Sequence, residues 1–123
     1  MLKIRKLKLD DLSFVLQNTE REGWNLLEKD VLRCYHLETQ GCFITEEDNK
    51  KLGHIFAFNY GKIGVIGMLI VRPKYRNRGI GTKLMEKAIQ YLEKQGVETI
   101  RLEAVVKVFH FIRDWGSRKN LTR

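Results

Sequence analysis

A chain of 123 residues, 43% hydrophobic and 31% charged, has the size of one compact domain, which buries roughly two thirds of the surface its unfolded form exposes. Its formal charge of +8 suggests an anionic partner. No apolar run approaches the roughly 18 residues that a membrane-crossing helix needs, and the opening MLKIRKLKLDD alternates charge with aliphatics where a signal peptide would be apolar, so a soluble, cytoplasmic protein is expected.

Period-two alternation through LKIRKLKL, apolar at Leu2 and Ile4, predicts a first strand. Asp10 or Asp11 then caps a helix that runs to about Asn18, with Leu12, Val15 and Leu16 on one face, and EGWN breaks it. A second helix is expected over 28–37, with Val31, Leu32 and Tyr35 inward. GCFITEEDNKKLGHIFAFNYG reads as a hairpin, with strands over 42–46 and 52–59 around the polar turn Asp48 and Asn49. VIGMLIV is nearly continuous in apolar residues, as in a strand buried on both faces, and Pro73 ends it. Leu84, Ala88, Tyr91 and Leu92 recur at three- and four-residue spacing and predict a helix over 79–95, with Gly96 in the left-handed position just past its end. TIRLEAVV follows as another strand. This order predicts an α/β fold (α+β by some schemes), a mixed central sheet flanked by helices.

The charge is unevenly placed. From Arg72 to Lys83 there are five basic residues and no acid, and from Lys107 to Arg123 five basic residues and one acid. A nucleic-acid footprint would spread over a face or along a helix, so nucleic acid is an unlikely partner. Cys34 and Cys42 form no CxxC pair, and His36, His54 and His110 lack metal-binding spacing; neither a metal nor a disulfide is expected, and His54, inside a strand, reads as a core histidine.

The basic run RPKYRNRGIG lies between the buried strand and the long helix. A glycine-bearing turn entering a helix presents backbone N–H groups that no helical carbonyl accepts, which makes an anion cradle. Glycine at 79 and 81 lets a phosphate approach the backbone, while Arg76, Arg78 and Lys83 add positive potential. Neither the Walker nor the dinucleotide pattern fits, since Thr82 precedes Lys83 and Leu84 stands where a third glycine would be.

What remains is V-x-P-x-x-R-x-x-G-x-G at Val71, Pro73, Arg76, Gly79 and Gly81. In this setting the chain resembles the GNAT superfamily of N-acyltransferases, whose signature is [RQ]-x-x-G-x-[GA], in element order from Leu2 to about Val106. The resemblance implies acetyl-CoA as donor and a primary amine as acceptor, with no metal. It implies that Asn77, Arg78, Gly79, Ile80, Gly81 and Thr82 hold the pyrophosphate through backbone amides, with Arg76 beside them. Leu69, Ile70 and Val71 would pair with the pantetheine arm. Glu103 is the candidate base for the amine's proton, and Trp24, Asn25, Asn59 and Tyr60 are the candidate acceptor contacts. The other reading is a non-catalytic module that keeps the acyl-CoA site as a sensor.

The end of the chain departs from the pattern. Where many relatives carry a tyrosine in P-L-Y-x-x-x-G-F, the acid for the departing thiolate, this chain reads HFIRDWGS with Ile112 in that place. Read from the third base of each codon, the same stretch permits P-L-Y-x-x-L-G. The expectation is therefore a domain over 1–106, then an atypical tail over 107–123 produced by a one-base loss near Lys107 or Val108, without the last two strands of the fold. The unpaired sheet edge beside apolar Phe109, Phe111 and Trp115 then predicts a homodimer or swapped oligomer.

Overall fold

The computed structural model describes residues 1–102. In chain order these form β1 (Lys3–Lys6), α1 (Leu12–Arg21), α2 (Glu28–Leu37), β2 (Cys42–Glu47), β3 (Lys50–Asn59), β4 (Ile63–Val71), α3 (Ile80–Lys94) and β5 (Thr99–Leu102), with short 3-10 turns at Leu9–Asp11, Thr39–Gly41 and Pro73–Tyr75. Within this span the sheet runs β1-β2-β3-β4-β5; the first four strands are antiparallel and β5 joins β4 in parallel. The mixed sheet with helices on both faces is the expected architecture.

Strand alternation builds two cores. Phe56, Phe58 and Val65 pack with Phe14, Val15 and Val31 of α1 and α2 on one face, while Ile55, Ala57 and Ile66 pack with Leu84, Ala88 and Leu92 of α3 on the other. β4 is enclosed between these layers and is apolar on both sides for that reason. Each fully buried aromatic or leucine contributes about 1.5–3 kcal/mol of transfer free energy.

Boundaries moved where local chemistry was stronger than the hydrophobic pattern. α1 extends past Asn18 to Arg21, where buried Thr19 and the Asn18 side-chain oxygen find partners within the helix although Asn18 Nδ2 has none among the described residues. The Thr19 hydroxyl donates to the Leu16 carbonyl at 2.9 Å and Asn18 Oδ1 accepts from Arg21 at 2.6 Å. β3 begins at Lys50 because Asp48 and Asn49, with φ of 52° and 65°, form the two-residue turn that suits the twist of a hairpin. β1 stops at Lys6; Leu7 enters the core, whereas Leu9 is exposed. α3 ends as expected at Gly96 (φ 84°), where the Val97 N–H reaches the Leu92 carbonyl and the Gly96 N–H reaches that of Glu93, the pairing of a Schellman stop.

Asp11 fastens β1 and β3 to the start of α1. Its carboxylate is buried, accepts from Arg5 at 2.8 and 3.1 Å, from the Lys8 N–H at 2.8 Å, and pairs with Lys51 at 2.8 Å. Burial alone would raise its pKa, but the Arg5, Lys51 and Lys8 hydrogen bonds outweigh it and hold the carboxyl well below the usual carboxylate range.

Candidate functional site

At the end of β4 the chain turns through Pro73–Tyr75, where the Tyr75 N–H donates to the Arg72 carbonyl (2.8 Å) and the Arg76 N–H to that of Pro73 (3.3 Å). The next intrahelical bond is Lys83 N–H to the Gly79 carbonyl at 3.1 Å. Between them, the N–H groups of Asn77, Arg78, Gly79, Ile80, Gly81 and Thr82 have no acceptor among the described residues. Asn77 (φ 65°) and Gly79 (φ 78°) are left-handed and flank Arg78, which is not; such alternation turns successive N–H groups to one side and forms a concave anion site. The 15-residue α3 adds its positive end.

These groups face a cleft of about 450 Å³ lined by Leu69, Ile70 and Val71 of β4, by Tyr75, Arg76, Asn77, Gly79, Ile80, Gly81 and Thr82, and by Glu22 from the end of α1. A Cβ built on Gly81 would come no nearer than 3.8 Å to a protein atom, the Val71 side chain, and one on Gly79 would meet nothing within 4 Å. Packing therefore does not require glycine at 81. A side chain there would instead enter the space in front of the amides.

The arginines are engaged with carboxylates. Arg76 Nε donates to the Val71 carbonyl at 2.8 Å, and its Nη2 pairs with Glu22 at 3.2 Å. Arg78 pairs with Glu47 at 3.2 Å and lies over the Tyr75 ring. Arg76 thus ties the turn to the strand end and neutralises the one carboxylate in the cleft wall. These exposed pairs add about 0–1 kcal/mol each.

Beside the cleft, β4 carries a bulge. His54 pairs with Ile70 and Phe56 with Gly67, so Met68 and Leu69 together oppose Ile55, and Met68 adopts φ 56°. β5 pairs with β4 only from Ile63 to Ile66 among the described residues, so the bulge separates the paired half of β4 from the half that lines the cleft. His54 is fully buried, its Nδ1 lies 2.8 Å from the Met68 carbonyl, and burial pushes its pKa down to about 4. As pH falls below about 6.5 the unfolded chain takes up this proton first, so stability present above that value is lost toward pH 4. The melting temperature should decline across this window, and decline less in His54→Asn, as followed by circular dichroism.

Of the residues singled out from sequence, Leu69, Ile70, Val71, Arg76, Asn77, Gly79, Ile80, Gly81 and Thr82 come together in one cleft, and Arg78 flanks it. Trp24 and Asn25 lie in the α1–α2 loop, where Trp24 packs on the core. Asn59 and Tyr60 are at the opposite end of β4 from Val71, roughly 20 Å away along the strand; Asn59 Oδ1 accepts from the Gly61 N–H and Tyr60 packs on the α1/α2 core. Those four do not share the cleft. Glu103, Ile112 and the tail over 107–123 lie outside the described residues. Glu22 and Tyr75 line the cleft but have no sequence signal that marks them. Cys34 and Cys42 are free and buried, with the Cys34 thiol pushed up to about 12 by desolvation.

Fold and cleft together define an α/β domain with a row of unaccepted N–H groups facing a cleft where a buried strand meets a helix. The model of the acetyltransferase (GNAT) family matches residues 7–113, and the chain belongs to that family. An uncharacterized N-acetyltransferase of Archaeoglobus fulgidus is 36% identical over 61 residues, 44% of this chain; the match spans 42% of that relative's length. Among solved structures, Ard1 from Thermoplasma volcanium superposes with a TM-score of 0.73 at 17% identity over 82% of this chain and 70% of that one. A GNAT family acetyltransferase from Brucella melitensis in complex with acetyl-CoA gives 0.65 at 24% identity over 83% and 75%. No helix among the described residues is long and apolar enough to cross a membrane, and no group of three metal-ligating side chains converges there.

Proposed function

We propose that this chain binds acetyl-CoA in the cleft at the β4–α3 junction and transfers the acetyl group to a primary amine. The observation that carries this reading is the run of six unaccepted N–H groups from Asn77 to Thr82 facing open space beside Gly81. A diphosphate accepts several such donors at once, and each charge-assisted bond is about twice as strong as a neutral one. Leu69 to Val71 offer the pantetheine arm a strand edge; Ile70 turns its backbone groups toward His54 of β3 and the Val71 carbonyl already accepts from Arg76, so Leu69 and the Val71 N–H carry that pairing. In the transfer the amine nitrogen bonds to the thioester carbonyl carbon, the C–S bond breaks, and the amine's proton passes to a base, for which Glu103 remains the candidate. Trp24 and Asn25, at the α1–α2 loop near Glu22, are the better placed of the acceptor candidates.

A second reading, an acyl-CoA-binding module without turnover, is favoured by Ile112, which cannot donate a proton to the thiolate. Loss of one proton-transfer group costs about 10²- to 10⁴-fold in rate, while the cradle is independent of that residue. Coenzyme A at about 100 times its Kd should stabilise the protein by about 2.7 kcal/mol, several degrees in a thermal melt. The absence of any shift at millimolar ligand would contradict both readings. Acetyl transfer to an amine panel, followed by release of free thiol, separates the two.

A further inference from the structure

We infer that His54 is a positioning residue of the cleft, and that its imidazole holds the β4 bulge from which Leu69, Ile70 and Val71 enter the cleft wall. The inference rests on the cleft being the acyl-CoA site. An imidazole in this core is costly: Phe14 and Phe56 pack edge-on against it at 5.8 and 6.2 Å between ring centroids, and Nε2 has no hydrogen-bond partner among the described residues. A leucine or phenylalanine would fill such a place without burying polar atoms. The one polar contact among the described residues is Nδ1 with the Met68 carbonyl at 2.8 Å. A carbonyl only accepts, so Nδ1 bears the hydrogen, and complete burial with no partner for Nε2 among the described residues favours the neutral ring.

Met68 is the residue that needs such support. A non-glycine residue at positive φ is strained and persists only when its surroundings fix it. The side chains of Met68 and His54 both lie on the α1/α2 face, whereas Leu69 packs toward α3. The bulge thus resets which face each following residue of β4 presents. Without the hydrogen bond from His54, the strand could relax into regular pairing with β3; Leu69, Ile70 and Val71 would then change faces, and the cleft edge would be lost.

The test uses the full chain with His54→Asn, whose Nδ2 stands close to where Nδ1 does, and His54→Leu, which has no donor. At a temperature where circular dichroism shows all three proteins folded, coenzyme A should bind the asparagine variant within about threefold of wild type and the leucine variant at least about tenfold more weakly, the effect of one buried hydrogen bond. Met68 Cα and Hα shifts should report positive φ in the wild type and asparagine variant only. In the wild type, the imidazole nitrogen shifts should report the Nδ1–H tautomer, a readout that needs no variant to fold. Equal coenzyme A affinity in the leucine variant, an unchanged Met68 there, or an Nε2–H tautomer in the wild type would each overturn the inference. If the wild type itself fails to bind coenzyme A, the site reading falls, and the Met68 shifts still decide whether His54 holds the bulge.

Discussion

Gly81→Asp should leave the unliganded protein as stable as wild type, or slightly more so, and should abolish its response to coenzyme A. The position is in the first turn of α3, where a carboxylate adds about 0.3–1 kcal/mol through the helix dipole. A Cβ there meets only ordinary contact at 3.8 Å. Toward a phosphate in the cradle the same carboxylate is repulsive: two unit charges about 5 Å apart at an effective dielectric near 20 repel by about 3 kcal/mol, roughly 200-fold in affinity. Gly81→Asn has nearly the same shape without the charge and should lose far less. Paired thermal melts with and without millimolar coenzyme A make the comparison. If the aspartate variant responds to the ligand as wild type does, the amides of Asn77 to Thr82 do not hold its phosphates.

Asp11→Ala is expected to be the most destabilising single substitution of a polar residue. Removing one partner of a buried ion pair typically costs about 3–5 kcal/mol, because the remaining charge is stranded. The lower end applies here, since Arg5 keeps Glu46 at 3.2 Å and Arg5 and Lys51 are about 26% and 33% exposed. About 3 kcal/mol corresponds to roughly 10 °C in a domain of this size. The acid limb carries a second signature. The carboxyl titrates in the folded chain well below its unfolded value near 3.9, so its stabilisation is complete above that pH and is lost as pH falls below it. Asp11→Asn should flatten that part of the profile while leaving the decline due to His54, between pH 6.5 and 4, in place. Guanidinium unfolding across pH 3–7 would separate the two, and a wild-type-like midpoint for Asp11→Ala at pH 7 would show that the network contributes little.

Much of the fold was legible because its elements repeat apolar residues at the right period: α2 fell on 28–37 as predicted, and α3 within one residue of 79–95 at each end. The turn that presents the unaccepted N–H groups was legible too, since two glycines and a proline mark it in the sequence. The bulge left no such mark. Its left-handed residue is Met68, and nothing in VIGMLIV separates that methionine from its neighbours. The partners of Arg76 and Arg78 were likewise illegible, because Glu22 and Glu47 lie 54 and 31 residues away in sequence and are brought close only by folding. His54 reads as a core histidine from sequence and is one, but its contact with the bulge is set by strand register.

Among the described residues every strand lies next to its neighbour in sequence, yet the pairings differ widely in entropic cost. The β2–β3 and β3–β4 pairings close through turns of a few residues and can zip locally. The parallel β4–β5 pairing needs a long crossover, which the segment carrying α3 supplies. Non-local closure of this kind slows folding. The pairing of β1 with β2 spans α1 and α2 and is non-local too, so only β2, β3 and β4 form a local meander, and the cleft is complete only once α3 brings its first turn to the end of β4.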